Sequence, residues 1–113
     1  MRVFKFRIWN KIAKRFIDNQ LANSIFFKLF EYPEYEITQY TGVKDCDGVE
    51  IFEGDILEIY TKDLDLKERY EVVWSPNYLC FYLNDNKSIA FFDWNELTGS
   101  GSYARVVSNR YEE

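Results

Sequence analysis

Short runs with an apolar side chain at every second position, each closed by residues that favour turns, constrain this chain more than any other feature. Phe4, Phe6 and Ile8 alternate with Lys5 and Arg7, the period of a strand with one buried face. Residues 10–14 read as a polar turn and residues 15–18 as the returning strand of a hairpin. Further strands are expected over 35–40, 49–52, 56–60, 70–74, 78–83, 89–94 and 103–107. Between them stand turn signals: Asp47-Gly48, Gly54-Asp55, Ser75-Pro76-Asn77, Asn84-Asp85-Asn86 and the Gly-Ser run 99–102. Residues 62–68 read as a charged loop. Many short strands at close spacing predict a mainly β fold with a small antiparallel barrel or roll.

One segment resists this pattern. Over residues 20–31, Leu21, Ile25 and Leu29 share a helical face, while Ile25, Phe27 and Leu29 also alternate. A short helix and an irregular strand both fit, and Pro33 closes the segment. Phe4, Phe6, Ile8, Ile37, Ile51, Ile56, Ile59, Val72 and Trp74 are the expected core. Aromatic residues make up 19% of the 113-residue chain, and a domain this small needs such large side chains to complete its core.

Several chemistries have no foothold in the sequence. Histidine is absent, which removes the commonest general base and transition-metal ligand. Cys46 and Cys80 form neither a C-x-x-C pair nor a disulfide framework. No phosphate-cradling Gly-Lys-Ser/Thr loop occurs. Asp45, Asp47, Glu50, Glu53 and Asp55 crowd one stretch, but not with the spacing of a calcium loop, and hairpin alternation would divide them between two faces. Gly42, Gly48, Gly54 and Asp55 are expected to serve turns, with the Asp55 carboxylate bonding nearby backbone N–H groups. No catalytic, cofactor or metal residues are therefore assigned. No apolar run nears the ~20 residues that span a bilayer, and the start of the chain lacks the apolar core of a signal peptide, so a cytoplasmic location without a membrane partner is expected.

Charge is unevenly distributed. The net charge is −5, yet residues 1–30 carry seven bases against Asp18 alone, a balance of +6. The remaining seven bases and eighteen acids leave −11 on residues 31–113. Strand alternation would place Lys5 and Arg7 on a polar face, which Lys11, Lys14 and Arg15 in and after the turn extend. These five are the candidate recognition residues for an anionic partner. The aromatic residues of the acidic part stand where a phosphate backbone would be repelled.

Three blocks bear a resemblance to a known family. Residues 5–11, Lys-Phe-Arg-Ile-Trp-Asn-Lys, resemble the opening K-F-R-A-W-D signature of the YopX-like proteins of bacteriophages and prophages, with Asn10 in place of aspartate. Tyr40-Thr41-Gly42-Val43-Lys44-Asp45, followed by Asp47-Gly48, Glu50-Ile51 and Glu53-Gly54-Asp55-Ile56, is similar to the family's central block. Residues 106–112 resemble a degenerate form of its closing V-I-G-N-I-Y-E-N motif, with Ser108 for glycine and Arg110 for isoleucine. The resemblance implies one YopX-like domain over 1–113, with a basic N-terminal hairpin region (1–33) and an acidic SH3-like barrel region (34–113). It implies a phage or prophage origin and no established chemistry. The expectation is a non-enzymatic binding module in the bacterial host cytoplasm whose partner is a host or phage protein. A nucleic-acid accessory, capture of an anionic nucleotide-like signal and homo-oligomerisation stay open beside it.

Overall fold

The computed structural model describes residues 4–60, 66–76, 79–84, 89–91 and 103–112. The first strand, β1 (Phe6–Asn10), pairs antiparallel with the short β2 (Arg15–Phe16), setting Trp9 opposite Phe16. Their rings meet edge to face with centroids 4.9 Å apart. The ambiguous segment is a helix, α1 (Asn19–Leu29), capped by the Asp18 carboxylate, which accepts the N–H groups of Gln20 and Leu21. Such a cap satisfies backbone donors that a strand would have left to a neighbour. The helix lies on β1 with Ala22 fully buried. Beyond the end of β2, the Asn23 side-chain amide takes over the pairing of β1: its Oδ1 accepts the Phe6 N–H at 2.7 Å and its Nδ2 donates to the Phe6 carbonyl at 3.3 Å.

On its other edge β1 pairs with β3 (Tyr35–Lys44), Ile8 facing Ile37, and β3 pairs in turn with β4 (Glu50–Phe52). The sheet order is β2-β1-β3-β4. The rest of the described chain forms β5 (Asp55–Tyr60), β6 (Leu66–Ser75), β7 (Cys80–Asn84), β8 (Ile89–Phe91) and β9 (Tyr103–Asn109), in the antiparallel order β8-β7-β6-β5-β9. Its core is Leu57, Ile59, Val72, Leu83 and Ala104, joined by Ile51 from β4 and flanked by Val43 from β3. The far ends of β3 and β4 thus help fill the second sheet's core, giving the mainly β, SH3-like arrangement.

One strand serves both sheets because it bends. Gly42 takes φ +93°, a conformation that favours glycine, and the β3–β4 register shifts between Tyr40 and Lys44. Backbone bonds then stitch the sheets: Gly54 N–H donates to the Val72 carbonyl at 2.7 Å, Arg110 N–H to that of Gly54 at 2.8 Å, and Cys46 N–H to that of Ala104 at 3.0 Å.

Ile8, Ile51, Ile56, Ile59 and Val72 are buried as the alternation predicts, and Phe6 and Ile37 are half-buried. Phe4 and Trp74 depart from it, for both are substantially exposed. Phe4 precedes the first paired residue of β1. Trp74 lies next to the last residue of β6, where it meets Phe81 edge to face. Several boundaries also move: β2 ends at Phe16, two residues short of the expected 15–18, because Asp18 caps α1; β3 runs to Lys44, β6 begins at Leu66 inside the expected charged loop, and β9 continues to Asn109. The 99–102 turn and the stretch 92–94 of the expected 89–94 strand lie outside the described residues.

Candidate recognition site at the N-terminal hairpin

The turn between β1 and β2 is held in one shape by the Asn10 side chain and by backbone hydrogen bonds. The Asn10 Oδ1 accepts the N–H groups of Ile12 and Ala13, both at 3.0 Å. Lys14 N–H donates to the Asn10 carbonyl at 2.8 Å, and Lys11 N–H to that of Glu34 at 2.8 Å, tying the turn to the approach of β3. Lys14 takes φ +56° to close the loop. An asparagine that bonds the backbone two and three residues ahead makes such turns without a glycine.

The five candidate recognition residues divide into two groups. Lys11, Lys14 and Arg15 are exposed, and none forms an ion pair among the described residues. Ile12 stands among them with 81% of its surface in solvent, an apolar residue that a reading of 10–14 as polar overlooks. Lys5 and Arg7 instead face the protein. Lys5 Nζ lies 2.5 Å from Glu50 Oε2, and this bond holds its ammonium above the ordinary value. Arg7 is clamped further in: its Nη1 meets Asp55 Oδ1 at 2.6 Å, with side chains only 13% and 2% exposed. Its Nη2 donates to the Glu53 carbonyl at 3.2 Å. The guanidinium lies 4.6 Å from the Phe16 ring centre and 4.8 Å from that of Phe52, within the range of cation–π attraction. The expected solvent face of β1 is therefore covered at Arg7, because β4 and the start of β5 close over it.

The acidic block from Asp45 to Asp55 answers these bases and the backbone. Asp45, nearly buried, takes the N–H groups of Asp47 at 2.8 Å and Val49 at 2.9 Å on Oδ1 and that of Val106 at 2.9 Å on Oδ2. It closes its own turn and binds that turn to β9. Asp47 pairs with Arg105 at 2.7 Å, and Glu53 with Arg110 at 3.4 Å. Asp55 Oδ2 accepts the Phe52 N–H at 2.8 Å, the turn-fixing bond expected of it. Burial pushes the Asp55 carboxyl up, against the pull of Arg7 and of the Phe52 N–H. All five carboxylates are engaged in holding the fold. Among the described residues, no group of three or more acids or thiols could hold a metal ion.

A shallow cleft of about 370 Å³ opens between α1 and the first sheet. Phe4, Phe6 and Phe52 form its apolar walls, and Asn19, Gln20 and the Lys5–Glu50 pair its polar rim. Cys46 is exposed, Cys80 half-buried, and both are free thiols. No helix among the described residues is long and apolar enough to cross a membrane.

The family model described as YopX protein matches residues 26–113. The chain belongs to the YopX family. The match to the YopX model takes in the acidic block, β9 and the closing residues, whereas the basic turn lies N-terminal to it. The crystal structure of protein EF1440 from Enterococcus faecalis is similar over 99% of this chain and 96% of that one, with 25% identity and a TM-score of 0.65. That likeness extends the comparison to the N-terminal hairpin, which the YopX family match leaves out. No curated protein matches the chain.

Proposed function

We propose that this YopX-family chain is a non-enzymatic, phage- or prophage-derived cytoplasmic binding module that docks another protein through its β1–β2 turn. One observation carries the reading. The fold uses Lys5 and Arg7 for itself, while Lys11, Lys14 and Arg15 flank the projecting Ile12 and form no ion pair among the described residues. An apolar anchor ringed by charges suits a partner with a small pocket and an acidic rim. A nucleic acid would gain from the cations but not from Ile12, and the net charge of −5 opposes a phosphate backbone.

The test places a photo-crosslinking amino acid at position 12 and captures partners from the bacterial host, with nucleic acid digested in parallel. A defined protein adduct at position 12, lost when Lys11, Lys14 and Arg15 are reversed to Glu, is the expected result. Its recovery should weaken with salt, since exposed charges are screened over ~10 Å at ~0.1 M. An adduct that disappears on nuclease treatment would move the reading to nucleic acid. A triple reversal that leaves capture unchanged would overturn it.

A further inference from the structure

The cleft between α1 and the first sheet is a second site, separate from the basic turn. Its volume of about 370 Å³ lies within the ~300–1,000 Å³ range of small-molecule sites. Phe4, Phe6 and Phe52 supply aromatic walls, which suit a planar ligand with a π face to set against them. The walls are held in place. The Asn23 amide brackets the Phe6 backbone, and Phe52 rests on the Arg7 guanidinium and the Tyr40 ring. At the rim Lys5 Nζ and Glu50 Oε2 stand 2.5 Å apart, with side chains 44% and 29% exposed, so solvent reaches both. The Lys5 ammonium is steadied over the Tyr40 ring, 5.8 Å from its centre.

The ion pair at the rim selects the ligand. Its two charges cancel, and the Asp18 carboxylate caps the helix end that supplies Asn19 and Gln20. Such a rim gives an anion no net attraction, but it does offer hydrogen bonds. One contact between an ammonium and a carboxylate leaves further N–H groups on the first and further lone pairs on the second. Together Glu50 and Lys5 present a pair of acceptors beside a donor. Guanine carries the complement along its Watson–Crick edge, where the exocyclic amino group and N1–H donate and the neighbouring O6 accepts. Adenine, uracil and cytosine each meet only one of the acceptors and the donor. Unpaired bases are read on this edge while they stack on aromatic side chains. We propose that the cleft binds a free guanine nucleoside, its base set against the phenylalanine walls, with Glu50 accepting from N1–H and the amino group and Lys5 donating to O6. Asn19 and Gln20 offer side-chain amides to the sugar. A guanine within a strand is disfavoured, because the net charge of −5 opposes the accompanying phosphates.

Titration of the isotope-labelled full chain with guanosine, followed by NMR, tests the inference. Saturable shifts should centre on Lys5, Phe6, Gln20 and Glu50 and leave Ile12 unmoved. Inosine, which lacks the amino group, and adenosine should each bind about tenfold or more weakly, the loss of one hydrogen bond to a charged group. Glu50→Gln should weaken guanosine by at least a similar factor. Phe4→Ala, at a position 62% exposed and so without consequence for the core, should weaken it as well. Absence of saturable shifts up to the solubility of guanosine would overturn the proposal, as would equal affinity for the three nucleosides. If Glu50→Gln fails to fold, Phe4→Ala and the nucleoside series decide. Tighter binding of guanosine 5′-monophosphate would assign the cleft to a nucleotide and overturn the choice of a neutral ligand. Reversal of Lys11, Lys14 and Arg15 to Glu should leave guanosine binding unchanged; its loss would place the nucleoside on the basic turn and sink this inference, while partner capture at position 12 is judged separately.

Discussion

Arg7 and Asp55 set the tightest constraint on any single position. Removing one partner of a buried pair strands the other charge, so Arg7→Met should destabilise the chain by about 3–5 kcal/mol in chemical denaturation; a midpoint within error of the wild type would show that solvent reaches the pair. The pH dependence follows from the raised Asp55 pKa. A folded state that holds this proton more tightly than the unfolded chain loses stability as the group ionises. The Asp55 contribution is therefore full below the ordinary value of 3.8 and declines as pH rises through the higher folded value. The wild-type midpoint minus that of Asp55→Asn should fall across that window, and parallel profiles would contradict it. Gly54 is restricted twice: its φ is +93°, and an added Cβ would meet Arg110 Nε at 3.0 Å. Gly54→Ala should cost more than ~1 kcal/mol, measured the same way. The turn role of Asp55 could be read from its place after glycine, but its pairing with Arg7 could not. Alternation assigns faces within one strand and is blind to a second layer arriving from a distant segment.

Among the elements, the 45–49 turn does the most to join separate parts of the chain. A side chain there replaces a strand: the Asp45 carboxylate gives Val106 the acceptor that an added β-partner would supply, while Cys46 N–H serves the Ala104 carbonyl. The outer edge of β9 is in this way partly closed, which limits the pairing that open edges invite. Asp45→Ala removes the acceptor of three backbone N–H groups at once. Hydrogen bonds to a charged group contribute ~1.5–3 kcal/mol each when measured singly, so a total loss of at least ~3 kcal/mol is expected. Amide exchange at Val106 should quicken more than at Val72; equal change at the two sites would show that the carboxylate does not hold β9. Strand and turn positions were largely legible, since local alternation and Asp-Gly or Gly-Asp pairs report them directly. The helix at 19–29 was not, because its apolar spacing satisfied both periods and the Asp18 cap decided between them.

At the scale of the whole molecule, the charge asymmetry of the sequence is partly resolved inside the fold. Two of the seven bases of residues 1–30, Lys5 and Arg7, are answered by Glu50 and Asp55 of the acidic remainder. A division of the chain near Pro33 would cut through the β1–β3 pairing and leave Arg7 without its carboxylate. The N-terminal hairpin and the barrel should for that reason unfold as one unit. Trp9, buried against Phe16 and Tyr111, reports on the first sheet, and Trp74, beside Phe81, on the second. With 5-fluorotryptophan incorporated and each resonance assigned by a single Trp→Phe replacement, both native signals should vanish at the same urea concentration. In Arg7→Met the shared midpoint should fall while remaining shared, because backbone pairing across the division persists. Loss of the Trp9 signal at lower urea than the Trp74 signal in the wild type would mean that the hairpin is a separately folding appendage. The Lys5 and Arg7 ion pairs would then be contacts between two units and not part of one core.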